Sequence, residues 1–188
     1  MEAIRKYFER SVRQSEEDWA IFSSKLSPYK VQKGENLLAT GQTEKYLSFI
    51  ETGMLRFYSM YSLEEKTFGF AFAGSFVSAY DSFLTQKPAA YSIQALADSE
   101  LWRVSYEDLQ IIYRETQVGE RIGRLASEAL YLTKSKRELS LLYESAESRY
   151  LNLFAEQPHL LQNIPLKYIA SYIGVTPQAL SRIRKRIT

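Results

Sequence analysis

The chain opens with apolar residues at roughly helical spacing among charges: Ile4, Tyr7, Phe8 and Val12, then Trp19, Phe22 and Leu26, with Pro28 closing the stretch. Such spacing puts the apolar side chains on one helical face, so residues 2–26 are expected to form one or two short helices. From Tyr29 the texture changes to short runs rich in β-branched and aromatic residues: NLLAT, KYLSFIETG, MLRFYSMYS, KTFGFAFAG, YSIQALAD and ELWRVS. Glycines or polar pairs separate the runs. The pattern predicts an antiparallel β domain of about seven or eight strands that ends near Val104.

Ser105, followed by acids in YEDLQIIYRET, has the form of a helix N-cap. A long helix is expected from Gly119, with a seam at Ile122, Leu125, Ala129, Leu132, Lys136, Leu139 and Tyr143, steps alternating three and four residues. This is an a/d pattern over three heptads, which asks for a facing helix. Packing on the β domain satisfies part of the seam, and a parallel homodimeric coiled coil satisfies all of it. Lys136 at a core-type position then weakens the pair locally and helps to fix its register. Beyond Tyr143 the polar ESAES reads as a hinge, and RYLNLFAEQP as a short helix with Tyr150, Leu153 and Phe154 inward.

The last stretch, PLKYIASYIGVTPQALSRIRKRIT, holds the most specific pattern. Pro165 suits the first turn of a helix that runs to Tyr172 and puts Ile169, Ala170 and Ile173 on one face. Gly174 breaks it, because glycine alone takes positive φ without cost and so turns the chain sharply. Thr176 then serves as N-cap with Pro177 at the first helical position. In the second helix Ala179, Leu180, Ile183 and Ile187 face the first, and Gln178, Ser181, Arg182 and Lys185 share the opposite face. The result is a predicted helix-turn-helix with a polar, cationic outer face. In such a geometry Gln178 suits adenine, Arg182 suits guanine, and Ser181 reaches a base edge or a phosphate. Lys167, Arg184, Lys185, Arg186 and the Thr176 hydroxyl suit phosphates.

Charge sharpens this picture. The net charge of the whole chain is +2, yet no acid follows Glu156 and five cations do, which leaves −3 for residues 1–156. The asymmetry points to an anionic partner at the cationic end, double-stranded DNA, with a solvated basic tail as the bland alternative. The chain has no cysteine and a single histidine, His159, so thiolate zinc sites, iron–sulfur clusters and multi-histidine metal sites are excluded, and no metal is expected. An apolar content of 45% suffices for a core, and no stretch has the length of a membrane span. The first residues lack the form of a signal or transit peptide, so a cytoplasmic protein without a membrane partner is expected.

These features together resemble the Crp/Fnr family of bacterial transcription regulators over nearly the whole length. Gly34, Gly41, Gly53 and Gly74 are similar to the turn glycines of the cyclic-nucleotide-binding β-roll, and IASYIGVTPQALSRIRK to the family's helix-turn-helix. The resemblance implies an α+β architecture: N-terminal helices and an antiparallel β-roll in residues 1–116, a dimerisation helix in 117–144, and a helix-turn-helix domain in 145–188. It also implies a homodimer joined through Ile122, Leu125, Ala129, Leu132, Lys136 and Leu139 that reads a pseudo-palindromic operator and has no catalytic role, with RNA polymerase as a further partner.

The resemblance also marks departures. Cyclic-AMP-binding members hold the ribose with a Gly-Glu pair and the phosphate with an Arg-Ser or Arg-Thr pair; the aligned places here are Ser78-Ala79 and Ala89-Ala90. A buried phosphate without a partner is strongly disfavoured, so no cofactor and no tight binding of cyclic AMP are expected. Phe70, Phe72, Phe76, Ala79, Tyr80, Ala89 and Tyr91 remain, either as plain core or as the lining of a pocket for an unidentified apolar effector. Many members also follow the recognition helix with a β-hairpin wing that is not in this sequence, which gives dimerisation more weight. Two rival readings stay open: a ligand-sensing or protein-interaction β-roll with vestigial DNA binding, and an enzyme of cupin type, which the single histidine outside the β domain disfavours.

Overall fold

The computed structural model describes residues 1–62 and 64–187. It consists of two compact units, Met1–Ser59 with Gly69–Glu128, and Met60–Phe68 with Ala129–Thr188. The boundary between the two units falls within a long helix, and a short β segment belongs to the second unit.

The first unit begins with two helices, α1 (Glu2–Glu9) and α2 (Glu16–Ser24), as the apolar spacing predicted. Ser15 starts α2 by accepting the Asp18 N–H at 3.0 Å, and Glu16, Glu17 and Asp18 place negative charge against the positive end of the helix. The strands are β1 (Ser27–Val31), β2 (Asn36–Leu38), β3 (Tyr46–Thr52), β4 (Met54–Tyr61), β5 (Glu64–Phe72), β6 (Phe76–Val77), β7 (Ser92–Ala95) and β8 (Ser99–Ser105). They form two four-stranded sheets, in the orders β1-β8-β3-β6 and β2-β7-β4-β5. The register sets Ile50 opposite Leu101 and Phe57 opposite Ile93.

Side chains alternate across each strand, and the alternation separates two cores. Ile50, Leu55, Ala71, Ile93, Ala95 and Leu101 belong to an inner cluster formed by both sheets. Phe49 and Val104, one residue away from Ile50 or three from Leu101, instead join Ile4, Phe8, Phe22, Leu109 and Ile112 in an outer cluster. That cluster holds α1, α2 and α4 (Tyr106–Glu115) against the outer face of one sheet. Ser105 caps α4 as predicted, accepting the Asp108 N–H at 3.0 Å.

A short helix between β6 and β7, α3 (Tyr80–Thr85), is absent from the sequence reading, because six residues are too few to display a helical period. Gly53 joins β3 to β4 at φ +102°, and a Cβ there would lie 2.1 Å from the Ser99 Oγ. Only glycine meets both conditions.

The helix α5 (Gly119–Tyr143) has the predicted limits and belongs partly to each unit. The second unit continues with α6 (Ala146–Glu156), α7 (Pro158–Asn163), α8 (Leu166–Tyr172) and α9 (Pro177–Ile187). Its buried side chains include Tyr150, Leu153, Leu160, Ile164, Ile169, Ala170, Ile173, Leu180 and Ile183. The expected ESAES hinge is instead the start of α6: Ser145 accepts the Ser148 N–H at 3.0 Å as its N-cap. Phe154, expected inward, is 52% exposed, whereas Tyr150 and Leu153 are buried as expected. His159 lies in the first turn of α7.

Candidate nucleic-acid interface

In the second unit α8 and α9 form a helix-turn-helix. Backbone hydrogen bonds and a side-chain cap close the turn. Gly174 sits at φ +81°, its N–H donates to the Ser171 carbonyl at 3.0 Å, and the Val175 N–H donates to the Ala170 carbonyl at 3.0 Å. This is a Schellman ending, and it is why the chain can stop α8 and reverse within a few residues. Thr176 Oγ1 then accepts the Ala179 N–H at 3.2 Å, which starts α9 with Pro177 at its first position. Ile169, Ala170, Ile173, Leu180 and Ile183 are buried between or beneath the two helices.

Burial of that face leaves the other in solvent. Thr176, Gln178, Ser181, Arg182, Arg184, Lys185 and Arg186 on or before α9 are all exposed, as is Lys167 on α8. Gln178, Ser181, Arg182 and Lys185 fall at the spacing that shares one helical face. Within the cationic set, Arg186 pairs with Glu147 of α6 at 2.9 Å. Arg186 is therefore already engaged within the unit, a contact that no local pattern signalled. The Lys167 Nζ lies 4.8 Å from the Tyr168 ring centroid.

The long helix presents an unusual surface. Gly119 is its only buried residue among those described, and Leu132, Leu139 and Tyr143 of the seam are 66%, 51% and 83% exposed. Ala129 and Lys136 are exposed too, whereas Ile122 and Leu125 are half-buried and Ile122 packs against the outer cluster of the first unit. From Ala129 to Tyr143 the seam thus faces solvent.

Candidate effector residues are divided between the two clusters. Ala79, Ala89 and Tyr91 belong to the inner cluster. Phe76 and Tyr80 belong to the outer one, where Phe76 packs against Tyr7, Phe8 and Phe49 with centroids 5.1–5.7 Å apart. Because Ala71 of β5 points to the inner cluster, strand alternation turns Phe70 and Phe72 to the opposite face.

Around Ala79 and Tyr91 the structure places acids that sequence reasoning missed. The Glu44 side chain is buried, and its carboxylate accepts the backbone N–H groups of Tyr46 at 3.1 Å and of Ala79, at the head of α3, at 3.3 Å. Its own N–H donates to the Ser82 hydroxyl at 3.0 Å. Burial raises the Glu44 carboxyl above its ordinary 4.5, with the donated N–H groups and Arg103 acting in the opposite direction. The Tyr91 hydroxyl donates to Asp81 at 2.5 Å, and burial together with that carboxylate pushes the phenol up. Among the described residues no group of His, Asp or Glu could hold a metal ion, and no helix is long and apolar enough to cross a membrane.

Residues 28–116 match the family model of the cyclic nucleotide-binding domain. No curated protein matches the sequence. Solved structures share the fold across both units. The FixK2 protein of Bradyrhizobium japonicum is similar with a TM-score of 0.75 at 15% identity, covering 86% of this chain and 84% of its own. A putative transcriptional regulator of the Crp/Fnr family from Eubacterium rectale gives 0.72 at 16% identity, with 97% and 87% covered. The catabolite activator protein of Thermus thermophilus gives 0.60 at 20% identity, with 96% and 86% covered.

Proposed function

We infer that this chain, which shares its fold with Crp/Fnr-type regulators, is a DNA-binding transcription regulator that acts in the cytoplasm as a homodimer on a pseudo-palindromic operator. The observation that carries the reading is the α9 face, where Gln178, Ser181, Arg182 and Lys185 stand exposed behind a correctly capped turn. A hydrogen-bonding and cationic face of this kind fits the major groove, with Arg182 matched to guanine and Gln178 to adenine. Lys167, Thr176, Arg184 and Lys185 are suited to the phosphates around it, and Arg186 joins them by giving up Glu147. Dimerisation through Leu132, Lys136 and Leu139, with Ile122, Leu125 and Ala129 nearer the β-roll, would cover the exposed seam and set two recognition helices about 34–36 Å apart.

The β-roll works without cyclic AMP in this reading. The Ala79 N–H already donates to Glu44 and is not open to an external anion, and Ala89 and Ala90 offer no guanidinium for a phosphate. A nucleotide phosphate would meet carboxylates at Glu44 and Asp81. The protein is a regulator and not an enzyme.

The test is a fluorescence-anisotropy titration of the full chain on its own upstream DNA and on a scrambled control, at two salt concentrations, with and without cyclic AMP. Preferential binding that weakens steeply with salt and ignores cyclic AMP is the expected result. Equal, weak binding to both duplexes would overturn the DNA reading and move the function to the β-roll.

A further inference from the structure

The last turn of α8 is held from three sides within the second unit. Its final carbonyls, those of residues 170–173, would be orphans at any helix end. The Schellman bonds from Val175 and Gly174 satisfy Ala170 and Ser171. The other two go to arginines from distant elements. Arg137 of α5 donates to the Tyr172 carbonyl and lies over the Tyr172 ring, its guanidinium carbon 3.7 Å from the centroid. Arg149 of α6 donates through Nε to the Ile173 carbonyl at 2.8 Å. The same guanidinium donates through Nη1 to the carbonyls of Ser140, at 3.4 Å, and Glu144, which close α5. One planar fork thus joins the C-termini of α5 and α8, a task that the compact ammonium of lysine cannot perform. The third hold is the Thr67 N–H of β5, which donates to the Ser171 hydroxyl at 2.8 Å.

Three successive residues, Ser171, Tyr172 and Ile173, therefore receive bonds from the β hairpin, the long helix and α6. Side chains that fix a neighbouring helix at its turn fix the helix that follows the turn as well. The elbow between α5 and α6 is stiffened further by Glu144, which accepts from Ser140 at 2.8 Å and Asn152 at 3.1 Å.

We propose that Arg137 and Arg149 are the positioning residues of the recognition helix, clamping the end of α8 to α5 and so setting the separation and angle at which a dimer presents its two α9 helices, with Thr67 and Ser171 as an auxiliary latch. The proposal rests on the DNA-binding, homodimeric reading. It makes the α5–α8 joint a clamp where the polar sequence suggested a hinge. It also makes Ser171 the point at which a displacement of the β5 strand would reach the helix-turn-helix.

The test uses the full chain with Arg137→Lys, Arg149→Lys and Ser171→Ala; the lysine variants keep net charge, so general attraction to DNA is preserved. Duplexes are selected by the wild-type protein from a randomised pool, and binding is then measured to the selected site, to a single half-site, and to sites with one or two base pairs added or removed at the centre. In parallel, hydrogen exchange is followed for the segment 171–180. The clamp variants are expected to lose about tenfold or more on the selected palindrome while changing half-site affinity by about twofold or less, and to tolerate altered spacing better. Exchange across the segment should accelerate, more for Arg149→Lys than for Ser171→Ala. Equal losses on half-site and palindrome would overturn the proposal by showing a role in the fold of the helix-turn-helix alone, and unchanged affinity with unchanged exchange would overturn it outright. Failure of the wild type to select any duplex would sink the DNA reading instead, and the exchange data would still decide whether the clamp exists.

Discussion

The Lys136 Nζ stands 2.7 Å from the Glu156 Oε2, so the one cation in the α5 seam is tied to α6 of its own chain. The side chains are 71% and 46% exposed, and an ion pair so open to water contributes little to stability. What it does is carry the charge away from the seam, leaving the aliphatic stem of Lys136 in line with Leu132 and Leu139.

Replacing Lys136 by leucine should therefore strengthen self-association. A leucine buried by a facing helix gives on the order of 1.5–3 kcal/mol, enough to lower a dimer dissociation constant by about tenfold or more. Sedimentation equilibrium of the wild type and Lys136→Leu reads this directly. Unchanged or weaker association would show that the seam does not face a second copy.

Arg182 and Lys185 share a face of α9 but have different expected roles. Arg182→Ala should cost about 1–3 kcal/mol on the preferred duplex and flatten discrimination at one base-pair position, with little effect on scrambled DNA. Lys185→Ala should weaken all duplexes alike and reduce the salt slope by about one. Titrations of both variants on matched and scrambled DNA at several salt concentrations separate the outcomes. A uniform loss from Arg182→Ala would assign it to a phosphate.

Much of this architecture was legible because its signals are local. The α8–α9 turn could be read from Gly174, Thr176 and Pro177, each of which has one backbone task, and α5, a helix of 25 residues, from a seam that repeats from Ile122 to Tyr143. Helix α3 was not legible, since six residues show no period, and neither was the inward or outward sense of Phe70, Phe72 and Phe76, which depends on strand register. Long-range polar contacts left no trace at all. Glu44 and Ala79 are 35 residues apart, and Arg137 and Tyr172 likewise, so nothing in either neighbourhood announces the partner. The polar ESAES misled for a related reason: Ser145 is polar because it caps a helix, and polarity alone cannot tell a cap from a hinge.

Gly53 and Gly34 both have positive φ, +102° and +88°, yet differ in what surrounds them. A Cβ at Gly34 would meet nothing within 4 Å, whereas one at Gly53 would lie 2.1 Å from the Ser99 Oγ and 2.7 Å from the Ser99 Cα. Gly34→Ala should cost about 1 kcal/mol from backbone strain alone. Gly53→Ala should cost about 3 kcal/mol or more, because β8 must shift as well. Urea denaturation of the two variants checks the difference; equal costs would mean that the β3–β4 turn moves freely against Ser99.

Glu44 gives the β-roll a pH dependence whose sign follows from its burial. Its folded pKa is raised above the ordinary 4.5, so the folded state holds its proton at pH values where the unfolded chain has released it. Below 4.5 the carboxyl is neutral in both states and its burial costs least. As pH rises from there through the folded value, the unfolded state gains by ionising first, and stability falls. The N–H groups that Tyr46 and Ala79 donate to the carboxyl, together with the nearby Arg103, act against this shift. Glu44→Gln removes the titration while leaving Asp81, Tyr91 and Arg103 in place, so the stability difference between variant and wild type should shift in favour of the variant as pH rises through this window. Urea denaturation of both proteins from about pH 4 to pH 8 measures it, and a difference that stays flat, or runs the other way, would mean that the donated N–H groups outweigh the burial of the charge.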